Sequence, residues 1–144
     1  MAPPSLSYDP GQVIVTFLGT PLHGFADGTY VKIVRNEEAF KLQVGADGEP
    51  ARVRNRNRSG QVSIILQQSS ISNDVLSAAA ALDELAAGGV GALLIKDLNG
   101  TTLVNALAAW VRKLPETELG KELGQREWVL ETGQLTMFVG GNPQ

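Results

Sequence analysis

QVSIILQQSSISNDVLSAAAALDELAAGG, residues 61–89, joins a pattern typical of a β-strand to a pattern typical of an α-helix. In its first part, Val62, Ile64 and Leu66 alternate with other residues and therefore share one face of an extended chain. The whole sequence holds 16 glycines, many of them between short runs of β-branched and apolar residues. This arrangement predicts a mainly β protein, with antiparallel strands and one inserted helix.

The helix is predicted near residues 74–87, which are rich in Ala and Leu. Ser72 and Asn73 before it are favourable N-cap residues, and Asp74 suits the positive end of the helix dipole. The pair Gly88-Gly89 provides a C-terminal stop. One apolar stripe would pack against a sheet, formed by Val75, Ala79, Leu82 and Ala86.

Further strands are predicted on both sides of this region. Runs of β-branched or alternating residues predict strands at 12–18, 29–35, 38–44, 92–96 and 126–138, the last interrupted near Gly133. Residues 101–113 also show helical spacing of their apolar side chains. The pair Asn99-Gly100 just before them is a strong hairpin-turn signal, so we expect a strand there.

Residues 45–60, GADGEPARVRNRNRSG, form a long polar stretch between two predicted strands. We expect the strands at 38–44 and 61–67 to pair as one long hairpin. Residues 45–60 would then be its protruding loop, which closes at the turn pair Ser59-Gly60.

Size and composition indicate one domain over residues 1–144. A chain of 144 residues can bury a core without disulfides, and 43% hydrophobic with 19% charged residues is ordinary for a globular protein. A net charge of -3 argues against a generally basic nucleic-acid binder. The sequence indicates neither a secretory signal nor a membrane anchor, and the ends at 1–10 and 140–144 are expected to be flexible.

No combination of residues indicates catalysis, a cofactor or a metal site. The chain has no cysteine, and its one histidine, His23, lies in a predicted loop without a neighbouring acid or hydroxyl group. The adjacent Glu37 and Glu38 would face opposite sides of a strand, which makes them a poor acid–base pair. We therefore expect a protein that is not an enzyme and uses no cofactor.

The most unusual feature is a row of arginines at alternate positions: Arg52, Arg54, Arg56 and Arg58. In an extended segment all four guanidinium groups would lie on one side and would repel one another. Three interpretations remain open from the residues alone. The row is a solvated hairpin tip, it forms ion pairs with another protein subunit, or it contacts nucleic acid.

Sheet edges suggest self-association. A long apolar strand such as 12–18 leaves unpaired backbone groups at an edge unless something covers them. A chain that keeps such edges can pair with copies of itself by strand addition, which motivates the hypothesis of a self-assembling protein.

Several stretches resemble the tube proteins of contractile-tailed bacteriophages, over nearly the full chain. They are GFADGTYVKIVRNEEAF at 24–40, the GADGE, NRSG and SND pieces within 44–77, LLIKDLNGTT at 93–102 and REWVLETGQLTMFVGGN at 126–142. The resemblance implies two packed antiparallel sheets forming a small β-barrel or sandwich, flanked by the helix. It also implies a structural subunit whose stacked rings, hexameric in this family, form a hollow channel for DNA delivery.

The same resemblance implies partners and a location. The subunit would contact copies of itself, the tail sheath protein outside, and the tape-measure protein and then double-stranded DNA in the lumen. Baseplate and tail-terminator proteins would meet the ends of the tube. The protein would belong to the phage tail in the virion and would be assembled in the cytoplasm of the bacterial host.

Two site assignments follow from this resemblance. A lumen through which DNA slides favours neutral or acidic walls, so Arg52, Arg54, Arg56 and Arg58 are predicted to face neighbouring subunits. Glu37 and Glu38 are the hypothetical lumen-facing carboxylates. The alternatives are a tube or tail-completion protein of a related contractile injection system, or a small nucleic-acid-binding module that uses the arginine row.

Overall fold

The computed structural model describes residues 8–142 as a large antiparallel sheet, a separate β-hairpin and one α-helix. The elements in chain order are β1 Val13–Phe17, β2 Thr20–Pro21, β3 Val31–Arg35, β4 Phe40–Val44, β5 Pro50–Arg54, β6 Gly60–Gln67, α1 Ser72–Ala86, β7 Gly91–Asp97, β8 Leu103–Lys113, β9 Gln125–Thr132 and β10 Leu135–Phe138. The predictions for flexible ends fall partly on residues 1–7 and 143–144, which lie outside the described residues. Residues 140–142 hydrogen-bond to the turn between β7 and β8.

The large sheet has the strand order β2-β1-β7-β8-β9-β6-β3, and every pairing in it is antiparallel. β10 continues the line of β9 along β8, because Thr132 lies opposite Ala109 and Leu135 lies opposite Ala106. The interruption expected near Gly133 is therefore present. The sheet ends at β2 and β3 and is not closed into a barrel. The prediction of a mainly β fold with two antiparallel sheets and one helix is confirmed. Of the two predicted forms, a barrel or a sandwich, the structure is consistent with the sandwich.

The hydrophobic core lies between the inward face of the large sheet and the helix. Alternate residues of the strands are buried, as in β6, where Val62, Ile64 and Leu66 are all fully buried. Val13 on β1 and Ile33 on β3 pack against the same core although they lie near opposite ends of the strand order. The sheet is therefore curled around one core.

Helix α1 matches the predicted apolar stripe only in part: Ala79 is buried and Val75 packs against the core, but Leu82 and Ala86 are exposed. Its buried residues are Ser72, Leu76, Ala79 and Ala80, whereas Leu82 is 50% exposed. The predicted side-chain N-cap is also wrong, since Ile71 occupies that position and makes no side-chain cap. A tertiary contact holds the start of the helix, since the Ser72 hydroxyl accepts a hydrogen bond from the backbone amide of His23, in the connection between β2 and β3.

Strand β8 confirms the choice of a strand for residues 101–113. Its register against β7 shifts between the pairs Gly91–Ala109 and Leu93–Ala106, which marks a β-bulge. The bulge places Ala106 and Ala109 both inward although they are three residues apart. This irregular strand therefore imitates the spacing of a helix in the sequence.

The expected pairing of residues 38–44 with 61–67 is wrong. β4 pairs with β5, and β6 pairs with β3 and β9. The cause is a tight turn at Asp47-Gly48, where Gly48 adopts φ +89° and the Gly45 amide donates to the Glu49 carbonyl at 2.9 Å. The hairpin thus comprises residues 40–54, and the range 45–60 covers its turn, its second strand and the loop that follows.

Candidate functional site

The hairpin of residues 40–54, which we call the arm, is exposed along both of its strands. The register places Phe40 opposite Arg54, Leu42 opposite Arg52, and Val44 opposite Pro50. Residues directly opposite each other in an antiparallel pair share one face. One face of the arm therefore carries three exposed apolar side chains beside two guanidinium groups.

Arginine and phenylalanine contact each other on this face. The Arg52 guanidinium carbon lies 4.2 Å from the centre of the Phe40 ring, and that of Arg54 lies 5.6 Å from it. Such cation–π contacts at exposed sites contribute about 0.5–1 kcal/mol each. They orient both cations over the apolar surface and leave their charge unneutralised.

The arginine row divides into two parts. Arg52 and Arg54 belong to β5, whereas Arg56 and Arg58 lie in the following loop, residues 55–59. Two asparagine side chains form local turns after the strand. The side-chain oxygen of Asn55 accepts a hydrogen bond from the backbone amide of Asn57, and the side-chain oxygen of Asn57 accepts one from the backbone amide of Ser59. Arg54, Arg56 and Arg58 line one open polar hollow together with Gly133 and Gln134.

None of the four arginines forms an ion pair within residues 8–142. The ion pair found in this part of the chain joins Arg112 to Glu131 at 3.6 Å, on the outer face of the sheet. Four exposed like charges without a counter-charge are an electrostatic cost that a partner with negative groups would remove. The arm is thus a cationic and apolar surface suited to binding.

Glu37 and Glu38 lie in the connection between β3 and β4, at the base of the arm, and both are exposed. The Asn55 side-chain amide donates to the Glu37 carboxylate at 2.5 Å. The structure therefore brings the Glu37 carboxylate to the arginine-bearing segment, and it places Glu37 and Glu38 in a connection rather than on the strand that the sequence suggested.

A second unusual surface, which sequence reasoning missed, is the segment of residues 114–127 between β8 and the start of β9; we call it the Leu/Glu segment. Leu114, Leu119 and Leu123 are 54%, 80% and 73% exposed. The exposed carboxylates among them belong to Glu116, Glu118, Glu122 and Glu127. The signal in the sequence was the interleaving of leucine with glutamate in LPETELGKELGQRE.

Open hollows flank the Leu/Glu segment on two sides. One, of about 460 Å³, is bordered by Leu114, Glu118 and Glu127 together with Ile65 and Val129 of the sheet. The other, of about 330 Å³, is bordered by Leu119, Pro115 and Thr117 of the segment together with the core residue Trp128. Leu114 and Leu119 therefore border open space instead of packing into the core.

The arm and the Leu/Glu segment lie at opposite ends of the same strands. β9 begins at Gln125, beside the Leu/Glu segment, and ends at Thr132, which pairs with Gly60 near the base of the arm. Eight extended residues span roughly 23 Å. The two surfaces therefore face away from each other on one subunit.

The remaining polar residues form no reactive constellation. His23 is exposed in a loop and is held through its backbone, and residues 8–142 contain no cluster of His, Cys, Asp or Glu that could hold a metal ion. Burial raises the pKa of Tyr30 above its ordinary value, and its hydrogen bond with Tyr8 raises it further. The Tyr30 phenol is therefore protonated at neutral pH and is unsuited to act as a base.

The described part of the chain, residues 8–142, contains no helix that is long and apolar enough to cross a lipid bilayer.

Two sequence comparisons match phage proteins with structural descriptions. Residues 20–140 match the family described as Bacteriophage PhiTE tail tube protein. Structural protein ORF10 of Pseudomonas phage KPP10 is 31% identical over 150 residues, which cover 99% of this chain and 87% of that protein.

Solved structures with the same fold come from contractile injection systems. The tube terminating cap of the anti-feeding prophage superposes with a TM-score of 0.62 at 11% identity, covering 96% of this chain and 95% of that one. The sheath/tube terminator of the extracellular contractile injection system PVC, in its extended state, gives a TM-score of 0.60 at 12% identity, covering 94% and 99%. At these identities the likeness concerns the fold.

Proposed function

Because this chain belongs to the bacteriophage PhiTE tail tube protein family, we propose that it is the repeating subunit of the tail tube of a contractile-tailed phage. It is a structural phage protein and not an enzyme, as the sequence suggested. In the proposed assembly, rings of six subunits stack into a hollow tube in the virion tail. The tape-measure protein and then double-stranded DNA occupy the lumen, and the sheath surrounds the tube.

The observation that carries this proposal is the exposed arm. A hairpin with three exposed apolar side chains and unneutralised arginines has no stabilising role inside its own subunit, because it contacts little besides itself. Such surfaces mark sites of protein–protein interaction. In a tube, each arm finds its contacts on a neighbouring copy, and assembly in the host cytoplasm brings many copies together.

We expect the purified full-length chain to form long hollow rods at high protein concentration. Hydrophobic burial of the arms and neutralisation of their arginines would drive this assembly. Negative-stain electron microscopy would show the rods, and multi-angle light scattering would follow the loss of monomer. A chain that stays monomeric at every concentration and salt condition would contradict the proposed function.

A second candidate is a tail-completion protein, which ends a tube instead of extending it. The fold likeness to two tube terminators favours it. The same micrographs distinguish the two functions. A completion protein would give single closed rings that bind the end of a preformed tube, whereas a tube subunit would give rods of variable length.

For the lumen we propose that Glu37 and Glu38 line the channel. Both carboxylates are exposed at the base of the arm, and negative walls repel the phosphates of passing DNA. A reconstruction of the rods would place these side chains. Finding both of them at contacts between subunits would overturn the assignment.

A further inference from the structure

We propose that the arm of one subunit docks on the Leu/Glu segment of the next subunit. This inference rests on the proposed function, since it names the partner surface that the arm binds within an assembly of identical copies. The partner is a second copy of this chain, and the receiving surface is residues 114–127 with the two hollows that flank them.

Complementary chemistry supports this pairing. The binding face of the arm presents Phe40, Leu42 and Val44 beside two arginines. The Leu/Glu segment presents three exposed leucines and four carboxylates, and its two cations, Lys121 and the buried Arg126, leave it with a net charge of -2. Apolar side chains can be buried against apolar ones while guanidinium groups meet carboxylates in charge-assisted hydrogen bonds. Each surface supplies what the other lacks within its own subunit.

The hollows provide room for the arm. The space of about 460 Å³ has Ile65 and Val129 on its sheet side, and Glu118 and Glu127 border it. A hydrophobic floor with charged groups at its rim is the usual anatomy of a protein–protein interface. The side chains of Leu42 and Val44 could occupy such a floor while Arg52 and Arg54 reach the carboxylates.

Within one subunit the arm does not contact the Leu/Glu segment, and both of its strands are exposed. The two surfaces lie at opposite ends of β9, roughly 23 Å apart along eight extended residues. A contact that joins one end of a subunit to the opposite end of the next is head-to-tail. Contacts of this kind repeat indefinitely and generate rings or open filaments, rather than closed two-fold dimers.

Nucleic acid is a less suitable partner for the arm than the Leu/Glu segment of a second copy. Phosphates would neutralise the arginines, but they would gain nothing from the three apolar side chains on the same face of the arm. A protein surface that is both apolar and acidic satisfies the whole face of the arm.

Disulfide trapping tests the docking, and the natural chain has no cysteine to interfere. One variant carries Leu42→Cys on the arm together with Leu114→Cys on the Leu/Glu segment, at the border of the larger hollow; both leucines are exposed, at 65% and 54%. A disulfide forms only when the two Cα atoms come within about 7 Å. Mild oxidation should therefore convert most of the chain into a ladder of dimers, trimers and longer species on a non-reducing gel.

The matched control combines Leu42→Cys with Leu85→Cys, a leucine of α1 that is 87% exposed and outside the proposed contact. We expect this control to remain mostly monomeric after the same oxidation. A ladder of equal strength in both variants, or in neither, would overturn the docking. Binding of a labelled duplex oligonucleotide to the arm, in place of the ladder, would overturn it too and would support a nucleic-acid partner.

The disulfide trapping tests the contact and the microscopy tests the tube function, so a negative result in one can be distinguished from a negative result in the other. Rods that form without the Leu42–Leu114 ladder would leave the tube function standing and refute this contact. A specific ladder from a chain that never forms rods or rings would support the contact and refute the tube.

Discussion

Replacing Arg54 and Arg56 with glutamate is expected to abolish tube formation and to leave the monomer folded. Both side chains are exposed and neither forms an ion pair within residues 8–142, so their removal costs the isolated subunit little. In the assembly, glutamate would place like charges against the carboxylates of the neighbouring copy. Juxtaposed like charges at an interface cost several kcal/mol, and each ~1.4 kcal/mol weakens association tenfold.

Circular dichroism and negative-stain microscopy of the double variant would measure the two effects together. The control is Arg54→Lys with Arg56→Lys, which keeps both positive charges but loses the planar guanidinium fork. We expect shorter or fewer rods from this control. Rods of normal length and number from the glutamate variant would remove the arginines from any role in assembly.

Replacing Trp128 with alanine is expected to lower the free energy of unfolding by about 3–5 kcal/mol. Trp128 is 2% exposed on the inward face of β9, and its indole nitrogen donates to the Asn73 side chain at 2.9 Å. The substitution would therefore leave a cavity and break the hydrogen bond that ties the sheet to the start of α1. A loss of this size is a large part of the stability of a typical domain.

Urea denaturation of the monomer would give the free energy of unfolding. Trp110→Ala is the matched control, because Trp110 is the other tryptophan of the chain and lies only partly buried on β8. We expect a clearly smaller loss from the control. Equal losses in the two variants would show that Trp128 has no special place in the core.

Local signals in the sequence were enough for several elements. The helix followed from an Ala- and Leu-rich run that ends at two glycines, and the structure places it at Ser72–Ala86. The Asn99-Gly100 signal gave the β7–β8 hairpin correctly, even though the β8 bulge imitates helical spacing. In each case short-range backbone chemistry decides the element, and short-range chemistry is visible in one sequence.

Features that depend on distant residues could not be read in this way. The start of α1 buries Ser72, whose hydroxyl accepts a hydrogen bond from the backbone amide of His23, 49 positions away in the chain. The β4–β5 pairing is an exception, because the local turn signal Asp47-Gly48 indicates it. The regular alternation of the arginines favoured one extended polar loop instead, and that prediction was wrong. Nothing in sequence spacing shows that β6 pairs with β3 and β9 in the large sheet, because these partners lie far away along the chain.

Of the two surfaces of the candidate site, only the arginine row could be predicted from the sequence. The arginine row stood out because its charge is dense and alternates regularly. The Leu/Glu segment resembles an ordinary charged loop in the sequence, whereas the structure shows three exposed leucines, two of which border open hollows. Burial distinguishes a core leucine from an interface leucine, and burial is a property of the folded chain.

The placement of the arm and the Leu/Glu segment at opposite ends of β9 gives the proposed polymer a direction. One rim of a finished tube would display unoccupied basic hairpins, and the other would display unoccupied acidic grooves. A protein that seals the first rim therefore needs an acidic and apolar surface, while one that seals the second needs a basic and aromatic projection. The two sealing proteins therefore cannot replace each other, and the two ends of the tube differ although the tube is built from a single kind of subunit.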